Sequence, residues 1–198
     1  MTLQLTKKHS FDIVFDSQKV FRLILEAMSN PTKTVNIKEH TEKLFGDYPV
    51  LLAVAMTLLD NEVSFNTCEN RELSDEIASL TLAGREQIEN ADFIFICDPV
   101  DTNDVIENAK CGTLADPQKS ATVIIRNDGE PDCRMTLFGP GINGQIEVGV
   151  SQAVKNAIML RDAQNYEYPQ GIDLIFISSD GELFDIPRLV YTKKEIFK

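Results

Sequence analysis

Apolar residues recur at the helical period over residues 17–29, where Val20, Leu23, Ile24, Ala27 and Met28 share one face. Asp16 or Ser17 is placed to cap this helix, and Asn30-Pro31 ends it, because proline lacks the amide a helix needs. Phe21 and Leu25, with Met28, widen the apolar face, which predicts packing on more than one side. Residues 50–59 are apolar nearly all round behind Pro49, the pattern of a buried helix with proline in its first turn. Residues 70–83 read as an amphipathic helix with Ile77 and Leu80 inward and Gly84 as its stop. Further helices are predicted over 102–109 and 151–164, the latter carrying Ala153, Val154, Ala157, Ile158 and Leu160. Strands are predicted over 34–37, 63–66, 92–97, 121–126, 133–138, 172–178 and 183–186. The unbroken runs Phe93-Ile94-Phe95-Ile96 and 172–178 predict strands covered on both faces. Asp180-Gly181 predicts the hairpin that joins the last two strands, with Asp180, Glu182 and Asp185 as its solvated face.

Strands and helices alternate until this closing hairpin. That order predicts an α/β fold, with a mixed sheet between two helical layers. The chain has 198 residues and no linker rich in Gly, Pro or Ser, so residues 1–198 read as one domain. With 43% hydrophobic and 25% charged residues it is neither disordered nor fibrous. The net charge of −12 argues against nucleic acid as a partner, since such partners need a positive footprint. Cys68, Cys97, Cys111 and Cys133 are scattered and form no C-x-x-C pair, which excludes a zinc ribbon or a thioredoxin-type motif. Cys97 reads as a small core residue. The first eleven residues lack the apolar stretch of a signal peptide, and no apolar run is long enough to span a bilayer. A cytoplasmic protein away from membranes is the expectation.

Candidate chemistry is sparse. Only His9 and His40 exist, one in a charged N-terminal segment and one in a polar segment between elements, so a histidine-based nucleophilic site is not expected. Two histidines and four separated cysteines offer no metal-ligand spacing. Gly139-Pro140-Gly141-Ile142-Asn143-Gly144 matches G-x-G-x-x-G after a predicted strand, but no helix opens directly behind it. It reads first as a glycine turn and second as an anion cradle. Asp173 starts a buried strand, where a carboxylate must be paired; Arg188 and Arg22 are the candidate partners. The guanidinium of Arg188 is equally able to clamp a phosphate or carboxylate. Gly139, Gly141, Asp173 and Arg188 are therefore the candidate anion-site residues, with no catalytic or metal-binding residue assigned.

Several phrases together resemble one family. They are Phe21-Arg22, Ala27-Met28-Ser29-Asn30-Pro31, Leu58-Leu59-Asp60-Asn61-Glu62-Val63, Ala91-Asp92-Phe93, Gly112-Thr113, Pro117 with Ala121-Thr122, Gly139-Pro140-Gly141-Ile142, Tyr168-Pro169-Gln170-Gly171-Ile172-Asp173-Leu174 and Ile186-Pro187-Arg188. In this order they are similar to PhnH, a subunit of the bacterial carbon–phosphorus lyase system. Two positions depart from the family pattern. Thr32-Lys33 stands where a glycine is usual, and Leu80-Thr81-Leu82-Ala83 lacks a His-Thr phrase. The resemblance implies a fold like the large domain of pyridoxal-phosphate-dependent transferases, without the cofactor. It also implies a homodimer within a complex with G, I and J subunits, which transfers the ribose triphosphate group of ATP to a phosphonate. In that complex this chain would be a structural subunit with no cofactor. Two rivals remain at this point: a small-anion (phosphonate or nucleotide) binding protein, and a pyridoxal phosphate enzyme using Lys110, Lys119 or Lys155 with Asp173 as pyridinium partner.

Overall fold

The unbroken apolar runs become the middle of a sheet buried on both faces, as their lack of alternation requires. In the computed structural model, which describes residues 9–98 and 101–192, seven strands form the main sheet. They are β1 (Val35–Asn36), β2 (Ser64–Asn66), β3 (Gly84–Arg85), β4 (Phe93–Ile96), β5 (Thr122–Arg126), β8 (Asp173–Ile177) and β9 (Glu182–Ile186), in spatial order β1-β9-β8-β5-β4-β2-β3. Strands β3, β2, β4, β5 and β8 are mutually parallel, while β9 runs antiparallel to both its neighbours. The remaining strands, β6 (Cys133–Leu137) and β7 (Ile146–Val150), pair as a separate two-stranded arm. Residues 1–8, most of the stretch read as lacking a signal peptide, lie outside the described residues. No described helix is long and apolar enough to cross a membrane.

The two sheet faces serve two cores. Phe65, Phe95, Ile124, Ile175 and Ile177 face α1 (Phe15–Ser29), α3 (Pro49–Leu58) and α4 (Arg71–Thr81). Ile94, Ile96, Val123, Ile125, Leu174 and Phe176 face α5 (Thr102–Asn108), α6 (Gln152–Ala163) and the β6–β7 arm. The expected mixed sheet between helical layers is present. Helix α3 has Pro49 in its first turn and buries Val50 through Ala55 without a break. Ser151 and Asn70 cap α6 and α4 by accepting from the amides of Val154 and Leu73. The Asp180-Gly181 hairpin joins β8 to β9, with Gly181 at φ +80°.

Five local expectations need correction. The cap of α1 is Asp12, whose Oδ1 accepts from the amides of Val14 and Phe15 at 2.9 Å each. Asp16 is instead buried, because its oxygens bind the Asp12 amide, His40 and Lys43. His40, read as part of a polar connection, lies buried in the short helix α2 (Lys38–Thr41) for the same reason. Helix α4 ends at Leu82 in the left-handed conformation, and Gly84 begins β3 rather than stopping the helix. The second apolar face of α1 is not covered: Phe21 is 48% exposed and Leu25 53% exposed.

Asp185 is the fifth. It is 1% exposed, not part of a solvated hairpin face. The pleat explains this, since Leu183 and Asp185 alternate with Glu182 and Phe184 and so share the face turned to α1. Neither carboxyl oxygen has a hydrogen-bond partner. Burial, with Asp173 nearby as a like charge, pushes its pKa from 3.8 up to about 8. The folded chain therefore keeps a proton that the unfolded chain has lost across this interval. Stability from this group is present below about pH 4 and falls as pH rises towards 8, by up to about 1.4 kcal/mol per pH unit. Asp185→Asn is expected to be more stable than the parent at pH 7, with a gain that grows between pH 5 and pH 8. Denaturant unfolding at several pH values checks this, and a pH-independent difference would contradict it.

Candidate functional site

Asp173 opens β8, so its side chain sits at the amino edge of the parallel strands. Arg188 follows β9, which returns antiparallel to that edge through the Leu174–Ile186 pair. The two residues meet there. Arg188 Nε donates to Asp173 Oδ2 at 3.1 Å, Nη2 donates to the same oxygen at 2.5 Å, and the Arg188 amide donates to Oδ1 at 2.7 Å. The remaining fork nitrogen, Nη1, donates to the Pro117 carbonyl. Arg22 is exposed on α1. A fork–carboxylate pair with its leftover positions bonded to backbone is the arrangement that offsets the cost of burying both charges.

Other motif residues converge on this junction. Gln170 Nε2 donates to the Gly112 carbonyl at 2.8 Å, and the Gly171 amide donates to the Cys111 carbonyl at 3.0 Å. Asp92, just before β4, accepts from the amide and hydroxyl of Ser64 and from Lys110. Gly139 lies with φ +143° against the backbone of Leu189 and Val190, where a side chain has no room. Gly141, at φ +81°, leaves a gap that a Cβ would close to 2.7 Å from Pro31 Cδ. The predicted glycine turn thus packs a loop between the end of α1 and residues 189–190.

Residues 187–192 form a strap held from beneath by Arg161, which is fully buried on α6. Its guanidinium donates to the carbonyls of Ile186 at 3.0 Å, Pro187 at 3.2 Å and Val190, and to Asp162 Oδ1 at 2.9 Å. Asp162 in turn accepts from the amide and hydroxyl of Thr192. Phe138 and Tyr191 exchange backbone bonds at 2.8 Å, which moors the β6–β7 arm to the strap. No motif signalled Arg161; only a basic residue in the last turn of an amphipathic helix was there to be noticed.

The opposite, carboxyl edge carries an open cleft of about 950 Å3. It lies where connections part: β2 leads outward to β3, while β4, β5 and β8 step the other way. Such a switch point is where open α/β sheets hold ligands. The cleft is lined by Glu69, Asp98, Asp101, Asp128, Glu130 and Asp132, against one cation, Arg126, among the described residues. Arg126 Nε is bonded to Asp128 Oδ2 at 2.9 Å. Burial would raise the Asp128 pKa, but bonds from the Ser179 amide, Arg126 and the Ser179 hydroxyl hold it low. Asn127 Oδ1 accepts from the Ser151 hydroxyl, tying the α6 cap to the end of β5.

Cys68 and Cys97 stand at the ends of β2 and β4, on either side of the switch point. Cys97 is half-buried at this edge, packed against the core on one side. Burial pushes the Cys68 thiol up to about 12, helped by Asp101, and the Cys97 thiol up to about 11. Both are neutral thiols at pH 7, the reverse of an activated nucleophile.

The histidines hold structure elsewhere. His9 Nδ1 accepts from the Phe45 amide at 3.1 Å, with Nε2 3.2 Å from Glu76. His40 Nδ1 is 3.0 Å from Asp16 Oδ1. Burial alone would raise the Asp16 pKa, but Lys43, the Asp12 amide and His40 together bring it down to about 2. Lys110 and Lys119 are bonded to Asp92 and Asp116, Lys155 lies on α6, and none of the three lines the cleft. Among the described residues no cluster of three His, Cys, Asp or Glu is placed to hold a metal ion.

A three-layer α/β protein whose motif residues build an interlocked junction at one sheet edge, opposite an acidic cleft, is the class these features define. Residues 9–193 match the family model of the bacterial phosphonate metabolism protein PhnH, and the chain belongs to that family. It is also similar to a putative C-P lyase subunit protein, HtxG, of Stutzerimonas stutzeri. The two are 29% identical over 178 residues, covering 88% of this chain and 84% of that protein. Family membership and this relative make the chain a phosphonate-metabolism subunit of the C-P lyase type.

Thr32 lies in the turn that follows α1. It takes φ +73°, a conformation that costs a β-branched residue strain. Thr32→Gly is expected to raise stability by up to about 1 kcal/mol, the relief of strain exceeding the added chain entropy; a loss in denaturant unfolding would contradict the strain. Asp173→Asn and Arg188→Ala are expected to be non-additive. A double-mutant cycle should give a coupling of about 1–3 kcal/mol, and additive losses would contradict a paired junction.

Proposed function

We propose that this chain is a non-catalytic structural subunit of a carbon–phosphorus lyase core complex. In that complex it is required for transfer of the ribose triphosphate group of ATP to a phosphonate (α-D-ribose 1-methylphosphonate 5-triphosphate synthesis). Its partners are a second copy and the G, I and J subunits, in the cytoplasm. The relation to the large domain of pyridoxal-phosphate-dependent transferases is part of this reading.

One observation carries it: both places where an anion would be sought are already committed. At the amino edge, the Arg188 fork is filled by Asp173 and the Pro117 carbonyl. At the carboxyl edge, among the described residues, six acidic side chains face one arginine that is bonded to Asp128. ATP and phosphonates are anions, and stabilising their transfer needs aimed positive charge. A triphosphate entering the cleft meets like charge within a screening length of about 8 Å. The candidate residues Gly139 and Gly141 support the same reading, because Gly139 packs against the backbone of Leu189 and Val190 and Gly141 against the Pro31 ring.

Reconstitution tests the proposal. Transferase activity is expected to need this chain alongside the other subunits, while the chain alone turns over neither ATP nor phosphonate. Full activity without it, or turnover by the chain alone, overturns the proposal. ATP and methylphosphonate are expected to leave the Tm of the isolated chain unchanged. A ligand at a hundred times its Kd would add about 2.7 kcal/mol of stability, and a shift of that size would favour an anion-binding function instead.

A further inference from the structure

Helix α1 has two apolar faces, and only one is used. Val20, Ile24 and Ala27 are buried against the sheet. Rotated by about 100° from them, Val14, Phe21 and Leu25 are 65%, 48% and 53% exposed, and Ile13 and Phe15 extend the patch at 60% and 68%. This is the densest group of exposed large hydrophobic side chains among the described residues. An uncovered patch of this kind marks an interaction surface.

We propose that this face of α1 pairs with the same face of a second copy, around a two-fold axis, with the helices antiparallel. The proposal rests on the self-association included above and names its surface. Three features select a second copy. The stripe Val14, Gln18, Phe21, Leu25 has spacings of four, three and four residues, which read the same from either end. A two-fold therefore sets Val14 against the partner's Leu25 and Gln18 against the partner's Phe21. Such self-complementarity is what an isologous interface requires. The spacing is also that of a helix–helix seam.

Charge agrees. Asp12, just before α1, and Lys19, Arg22 and Glu26 on it sum to zero, although the whole chain carries −12. Two copies that meet here avoid the repulsion that the rest of their surfaces would impose. Area agrees as well. The five side chains offer about 500 Å2 per copy, and two copies reach the ~1,000 Å2 that a specific interface needs.

Light scattering behind size-exclusion chromatography, with sedimentation over a concentration series, tests this on the full chain. The parent is expected to be a dimer at micromolar concentration. Phe21→Glu with Leu25→Glu is expected to weaken the dimer at least a hundredfold, giving a monomer of 22.2 kDa with an unchanged circular dichroism spectrum. Phe21→Ser alone, a milder change at an exposed position, is expected to weaken it about tenfold. Met159→Glu, on α6 beyond the other sheet face and 53% exposed, is expected to leave the dimer intact. A dimer that survives both α1 variants overturns the proposed surface but leaves self-association standing. Dissociation by Met159→Glu also overturns the surface. A parent that stays monomeric at tens of micromolar overturns the surface and self-association together, while membership of the complex is untouched.

Discussion

The pairing of Asp173 with Arg188 decides how the last quarter of the chain is arranged. A carboxylate at the head of a fully buried strand is costly unless its oxygens are satisfied. Here the guanidinium fork and the Arg188 amide all converge on it. Placing Arg188 there requires β9 to return antiparallel beside β8, and it requires the chain beyond β9 to cross the amino edge. Arg161 then fills the carbonyls of that crossing from below, and Phe138 hydrogen-bonds it from the arm. One ion pair thus joins β8, β9, α6, the turn at Pro117 and the β6–β7 arm.

This junction explains how the phrases that identify the family relate to its chemistry. Most of them lie at the amino edge of the sheet, where they donate to one another's backbone. Ligand sites in open α/β sheets belong to the other edge. That edge has a cleft of suitable size, yet its walls carry the charge of the chain as a whole, which is acidic. The residues gathered at the amino edge bond to one another and to nearby backbone. A subunit that works through its surface fits that distribution.

Helix α1 links the junction to the outside. Its end at Asn30-Pro31 abuts the Gly141 turn, and Thr32 donates from its amide to the Asp185 carbonyl at 3.4 Å. The strained turn and the unpaired buried Asp185 both lie where α1 seats on β9. These are local costs that the cores on either face of the sheet must outweigh. The same helix turns its second apolar face outward, so the element that carries strain on its inner side is the one offered to a partner.

Much of the architecture is legible in local pattern. The double coverage of β4 and β8 follows from runs without alternation, α3 from its apolar circumference, α6 from Ser151 and its periodic face, and the final hairpin from Asp180-Gly181. Asp173 could be marked as needing a partner because burying a charged carboxylate unpaired is costly. Arg188, 15 residues on, is brought to Asp173 by the hairpin register that pairs Leu174 with Ile186, whereas Arg22 lies on a helix far away along the chain. The limit of local pattern explains the misreadings. Phe21 and Asp185 are the clearest pair, an aromatic left in solvent and a carboxylate shut away from it. Their faces follow from helical and strand periods, but coverage of a face depends on which distant elements arrive there. Strands as short as β3, and the acidic cleft drawn from the ends of several strands, exist only once the sheet has assembled. Periodicity is a property of neighbours along the chain, whereas burial is a property of neighbours in space, and only folding brings the second set together.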